Sequence, residues 1–315
     1  SNTRFNDVSL LDGSYDQAIR SGNVNAETIR ISIDGMTSLV NEDSYLPQSL
    51  SDIANSNGGF VVNGVGAGDR AGIFTSNAGD VNGDGLDDFI IGADNDDPGG
   101  RNDSGAAFVV FGRSDGGKVE LSDIEAGIGG FVINGVSAGD SAGEGVSGGG
   151  DINGDGLADL IVGALHDDPN GDSSGAAFVV FGKKDTAAVE LSAVESGAGG
   201  FVINGASAGD RAGYRVSNAQ DVNGDGLTDI LVTAHLAAPN GGNSGAAFVV
   251  FGKKDTTAVE LSAVQGGTGG FVMNGVGSGD RAGRSASSAG DVNGDGYSDL
   301  LVGAPTDDPN GDSSG

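Results

Sequence analysis

The chain has 315 residues, enough for one large domain or two ordinary ones. Its 45 acidic residues against 15 basic ones give a formal net charge of −30, which argues against nucleic acid or anionic membrane surfaces as partners and favours metal cations. There is no cysteine, so disulfides and thiol redox chemistry are excluded, and no apolar run is long enough to span a bilayer.

The chain starts at Ser1 without a leader peptide and reads as a piece of a larger, multidomain surface protein. Residues 1–34 lie outside any clear repeat and read as a linker or the edge of a preceding domain. Within them ETIRISIDG (27–35) alternates like a strand. LSDI at 50–53 matches LSDI at 121–124, so a repeating pattern begins before Gly58.

From residue 35 onward internal repetition dominates. GDVNGDGLDDFIIGA (79–93) returns at 150–164, 220–234 and 290–304, and its leading aspartates are spaced by 71, 70 and 70 residues. GGFVVNG (58–64) and SGAAFVVFG (104–112) return in step. Each period reads as four short strands, in the second period 142–148, 158–164, 175–181 and 199–205. The runs DLIVGA and AAFVVFG are continuously apolar, as strands buried on both faces must be. Phe60, Phe131, Phe201 and Phe271, with the pairs Phe108/Phe111, Phe178/Phe181 and Phe248/Phe251, mark a repeated core. No 3.6-residue period is sustained, so little helix is expected. The expected fold is all-β, a β-propeller of four-stranded blades covering residues 35–315, with a linear solenoid as the competing arrangement. Residues 36–315 number 280, four times 70, so strands near 36–40 and 58–64 could complete a last unit that breaks off at Gly315.

The candidate site is the loop D-x-N-G-D-G-x-x-D, whose oxygens fall at positions 1, 3, 5 and 9. These are Asp80, Asn82, Asp84 and Asp88; Asp151, Asn153, Asp155 and Asp159; Asp221, Asn223, Asp225 and Asp229; and Asp291, Asn293, Asp295 and Asp299. Position 7 (Leu86, Leu157, Leu227, Tyr297) would offer its backbone carbonyl. Hard oxygens in a tight loop suit Ca²⁺, and glycine at position 6 (Gly85, Gly156, Gly226, Gly296) permits the sharp turn. Three carboxylates within nine residues would repel one another without a cation, so about four Ca²⁺ ions are expected. The loop is no EF-hand, because position 12 (Ile91, Val162, Val232, Val302) is apolar where that loop carries a bidentate glutamate.

At these residues the chain resembles the FG-GAP repeat family of integrin α-subunit propellers, most of all its bacterial extracellular versions. The resemblance covers about residues 58–315 and implies a β-propeller with calcium between the first two strands of each blade, an extracellular setting, and adhesion or ligand binding. The chain departs from the family pattern at Phe-Gly, which reads Ala71-Gly72, Ala142-Gly143, Ala212-Gly213 and Ala282-Gly283. Gly-Ala-Pro is whole only at Gly303-Ala304-Pro305; elsewhere Asp94, Leu165 and His235 stand in for the proline.

Asp69, Asp140, Asp210 and Asp280 recur in GD-x-AG and read as turn caps. The pairs Asp96/Asp97, Asp167/Asp168 and Asp307/Asp308 read as solvated loops, and His166 and His235 as unrelated surface residues. The third repeat is the outlier, with Ala237-Ala238 for Asp-Asp and Thr233 for glycine. No catalytic constellation, phosphate loop or basic aromatic patch is present. The expected function is a calcium-stabilised, non-catalytic extracellular module that binds a protein or glycan. Alternatives are an accessory propeller of a secreted hydrolase, or a structural repeat of a surface layer or filament.

Overall fold

The computed structural model describes residues 29–33, 36–40, 60–113, 117–308 and 314–315. The chain divides into two compact units, residues 1–61 with 116–118 and residues 62–115 with 119–315. In the first, Ile29–Ile33 pairs antiparallel with Met36–Val40, so the alternating segment is a strand as expected. The rest of the expected linker lies outside the described residues.

The second unit is a row of four-stranded antiparallel sheets, the blades of a β-propeller. The first blade is Thr75–Gly79, Asp88–Ala93, Ala106–Val110 and Gly130–Asn134. The second is Ala142–Gly150, Asp159–Ala164, Ala176–Val180 and Gly200–Asn204, close to the four expected strands. Val216–Gln220, Asp229–Ala234, Ala246–Val250 and Gly270–Asn274 make the third, and Ser285–Gly290 with Asp299–Gly303 opens the fourth. Each strand pairs with the next in sequence.

The continuous apolar strands have a physical cause. Alternate side chains of one blade enter different cores. Leu160, Val162 and Phe178 pack with Ile90, Val109 and Phe131 of the preceding blade. Their neighbours Ile161, Val179 and Phe201 pack with Ile230, Val232 and Phe248 of the following one. Both faces are therefore buried, and Phe108, Phe131, Phe178, Phe201 and Phe248 fill the gaps, whereas Phe60 and Phe271, expected in the same repeated core, are exposed.

Two elements lie beyond the sequence expectation. Helices α1 (Leu121–Glu125), α2 (Leu191–Glu195) and α3 (Leu261–Gln265) are one turn long and bury a residue pair each, such as Leu191 and Val194. One turn is too short to display a helical period. Just before each helix a two-residue strand pairs in parallel with the fourth strand of the preceding blade: Val189 lies opposite Ile133, and Val259 opposite Ile203. Likewise Val62–Asn63 pairs with Val119–Glu120. Of the strands expected to complete the last unit, Met36–Val40 pairs with Ile29–Ile33 and Val62–Asn63 with Val119–Glu120, and residues 309–313 of that unit lie outside the described ones. Among the described residues no helix is long and apolar enough to cross a membrane.

Blades approach until their backbones touch. A Cβ on Gly163 would lie 2.0 Å from the Gly213 carbonyl oxygen of the next blade, and one on Gly92 only 1.9 Å from that of Gly143. Gly163→Ala is therefore expected to lower the melting temperature by about 5 °C or more. Gly242→Ala meets nothing nearer than Ser278 Oγ at 4.0 Å and should shift it by about 1 °C at most. Equal melting temperatures for the two variants in calorimetry would refute the close-approach account.

Candidate metal centre

Each D-x-N-G-D-G-x-x-D loop joins the first and second strands of a repeat, and its four copies share one geometry. Positive φ at Gly83 (76°) and Gly85 (91°) folds the loop back, a conformation glycine adopts without strain. Asp80 Oδ1 then accepts the amides of Gly83 at 2.7 Å and Asp84 at 3.0 Å, and Oδ2 accepts that of Gly85 at 2.9 Å. Asn82 Oδ1 accepts the Asp84 amide and Asp84 Oδ1 the Leu86 amide, both at 2.8 Å. Asp151, Asn153 and Asp155, Asp221, Asn223 and Asp225, and Asp291, Asn293 and Asp295 repeat the pattern.

Position 9 is different. Asp88, Asp159 and Asp229 each open a second strand and are fully buried. Asp159 Oδ2 accepts the Ile152 amide at 2.8 Å, while Oδ1 accepts the Gly182 amide at 2.9 Å from beyond the third strand. Asp88 holds Val81 and Gly112, and Asp229 holds Val222 and Gly252, in the same way. Spacing alone does not show that these residues also tie the loop to the sheet. The recurrent glycine of Val-Phe-Gly was the available signal.

Burial pushes the Asp159 carboxyl up to about 7 against the backbone amides, and repulsion from Asp155 adds to it. Asp88 and Asp229 are raised by burial in the same way, with repulsion from Asp84 and Asp80, and from Asp225 and Asp221. The carboxylates of positions 1, 5 and 9 thus share one field. Among the described residues no three His, Cys, Asp or Glu side chains stand together as a ready cage, since those of the loop are turned to amides. The donor set nonetheless suits a hard cation: four side-chain oxygen groups and a carbonyl in nine residues, with lone pairs left on carboxylates that accept one or two amides.

The four loops also interlock. The Ala158 amide donates to the Asp80 carbonyl at 3.0 Å, and the Thr228 amide to that of Asp151 at 3.0 Å. Position 7 covers the preceding loop: Leu157 Cδ2 lies against Gly83, Leu227 Cδ2 against Gly154 and the Tyr297 ring against Gly224. Leu86 and Tyr297 are about half exposed.

Other acidic residues sort differently. Asp140 caps its turn as expected, accepting the Ser137 amide at 2.7 Å. Asp96 and Asp167 are buried rather than solvated, each with a partnerless oxygen. Burial and then repulsion from Asp140 push Asp167 up to about 7. His235 is buried rather than a surface residue, because it occupies the place of the buried Asp94 and Leu165 at the end of the second strand.

The FG-GAP repeat profile matches residues 74–110, 142–180, 212–250 and 282–315. Integrin alpha-PS5 of Drosophila melanogaster is 40% identical over 104 residues, 33% of this chain and 10% of that protein. Integrin alpha-PS2 of the same fly is 37% identical over 118 residues, 35% of this chain and 8% of the relative. Integrin alpha-4 of Xenopus laevis is 31% identical over 156 residues, 49% of this chain and 13% of the relative. The matched segments thus span about a tenth of the length of these relatives.

An acid whose folded pKa is raised holds its proton more tightly folded than unfolded. The stability contributed by Asp159 is thus complete below about pH 4 and lost as pH rises toward 7, at about 1.4 kcal/mol per unit. In chelator, the chain is expected to melt lower at about pH 7 than at about pH 5, with a shallower slope in Asp159→Asn. Melting curves across this range check it; an unchanged slope in the variant would remove Asp159 as the cause.

Proposed function

Because the chain belongs to the FG-GAP repeat family, we propose that it is a calcium-stabilised, non-catalytic binding module that works outside the cell. The observation that carries this reading is the fourfold repetition of one oxygen-rich loop, with its glycines in the left-handed region and its carboxylates in mutual repulsion. In each loop the side chains of positions 1, 3, 5 and 9 and the carbonyl of position 7 would hold one Ca²⁺. The ion supplies the positive charge that the clustered aspartates lack.

Affinity fits the setting. A loop with Kd near ~10⁻⁴ M in millimolar calcium gains about 1.4 kcal/mol, and four loops together would contribute about 6 kcal/mol. Such loops fill outside the cell, where calcium is abundant, and stay empty in the cytoplasm. A chain without cysteine can be exported unfolded and fold on meeting the ion, with no oxidation step. The likeness to integrin α chains supports an adhesive role. A non-catalytic reading agrees with the acidic clusters, which cap turns, brace strands or shape loops.

Chelation is expected to lower the melting temperature by about 10 °C or more, with about four ions per chain in the untreated protein. Calorimetry with and without chelator, beside metal analysis, checks both. A metal-free protein with an unchanged melting temperature would defeat the calcium reading. Turnover of a hydrolase substrate by this chain alone would defeat the non-catalytic one.

A further inference from the structure

We propose that the surface around His235, built by the third and fourth repeats with Phe74 of the first, binds the oxyanion of a ligand, a carboxylate fitting it best. The inference rests on reading the chain as a binding module, but not on calcium filling its loops.

The chain is strongly acidic, yet cations converge here. Arg215 lies between two rings, its guanidinium carbon 4.3 Å from the Phe74 centroid and 4.2 Å from that of Tyr214. It donates through Nη1 to the Tyr214 carbonyl at 2.9 Å and through Nη2 to the Tyr214 hydroxyl at 3.3 Å. Arg284 stands 5.0 Å from the Tyr214 ring, and the His235 ring 4.0 Å from it. Arg211 and Arg281 complete the group, both close enough to act on His235.

The group is short of counter-charge. Among the described residues no ion pair joins Arg211, Arg215, Arg281 or Arg284 to a carboxylate, whereas Arg70 takes Asp94 at 3.1 Å and Arg101 takes Glu190 at 3.1 Å. The acids sharing this field are Glu144, which feels Arg215, Arg70 and Arg211, Asp94, already paired, and, on the Arg211 side, Asp168 and Asp172, which act with Arg211 on His166. His235 is only 4% exposed, and its Nδ1 has no partner. Burial and the four arginines lower its pKa to about 4, so it is neutral at physiological pH and one ring nitrogen can accept or donate.

The other repeats act as an internal control. Where the third has Ala237, the first two have the buried acids Asp96 and Asp167, and where it has Gln265, they have Glu125 and Glu195. Asp96 feels Asp69 and Glu125, and Asp167 feels Asp140 and Glu195. The third repeat has lost two acids of this trio and keeps Asp210 alone. Guanidinium forks match a planar carboxylate in bidentate fashion, which makes a carboxylate the favoured occupant over a tetrahedral ion.

The test is titration calorimetry of the intact chain in calcium, with malonate or sulfate at constant ionic strength. Saturable binding is expected, tighter for malonate, and weakened about tenfold or more in Arg284→Gln, an exposed residue whose loss should leave the melting temperature unchanged. Ala237→Asp with Ala238→Asp, which restores the acids of the other repeats, should weaken it comparably. If that double variant fails to fold, Arg284→Gln and Arg281→Gln decide. Absence of saturable binding, or binding indifferent to both arginine variants, would overturn the proposal. Sulfate bound as tightly as malonate would overturn the carboxylate preference alone. Metal content and melting temperature measured on the same samples separate its failure from failure of the calcium reading.

Discussion

Each of the first three repeats depends on a carboxylate buried at the start of its second strand. An isolated carboxylate in a protein interior is costly, and Asp88, Asp159 and Asp229 offset that cost with amides from two directions. One amide belongs to position 2 of the loop, whose side chain, Val81 or Ile152, enters the core between blades. The other belongs to the glycine after the third strand, which a Cβ would drive into the loop backbone: on Gly112 it would lie 2.6 Å from the Asp87 carbonyl oxygen. Loop, second strand and third strand are thus tied at a single group. The tie is weakest when that group is charged with no cation nearby, so an ion held by the loop would act on the fold and not only on the surface.

From this follows how the repeats couple. Blades touch through glycine at Gly92 and Gly163, and their loops through the Ala158 and Thr228 amides and the overlying Leu157, Leu227 and Tyr297. Each repeat therefore feels its neighbours directly and the others only through them, the nearest-neighbour regime of repeat proteins. The third repeat shows the tolerance of the scheme. Thr233 replaces the contact glycine, and its hydroxyl accepts the Arg215 amide at 3.1 Å. Across from it a Cβ on Gly283 would lie 2.8 Å from the nearest atom, the Ala246 carbonyl oxygen, against 2.1 Å for Gly213 at the equivalent carbonyl of Ala176.

Much of this was legible in the sequence because it repeats. The 70-residue period located all four strands of the second blade to within about two residues, and two-sided burial followed from runs such as DLIVGA. The loop was legible too, in its residues though not in the division of labour among them. Spacing alone treats Asp80 and Asp159 alike, and only the sheet shows that one faces loop amides while the other is buried beneath them. The helices escaped because five residues carry no period. His235 escaped because its burial comes from the place it occupies, that of Leu165, and not from its chemistry.

The two ends of the blades have diverged under different constraints. At the end of the D-x-N-G-D-G-x-x-D loops all four copies keep the same oxygens, which hold the amides of their own loop, while backbone bonds join one loop to the next. At the other end the residue after Gly-Ala or Thr-Ala is Asp94, Leu165, His235 or Pro305, and the residue after Ala-Gly is Ile73, Glu144, Tyr214 or Arg284. These positions lie at strand ends, and Asp94, Leu165 and His235 are buried there although they differ in chemistry. Neutral drift would scatter charge at random over such positions. Here the third repeat loses acids at 237 and 265 while Arg211, Arg215, Arg281 and Arg284 gather beside it. Arg211 and Arg281 repeat the place of Arg70, so what sets this end apart is Arg215 and Arg284 together with the missing acids, and those changes raise the local positive charge in concert.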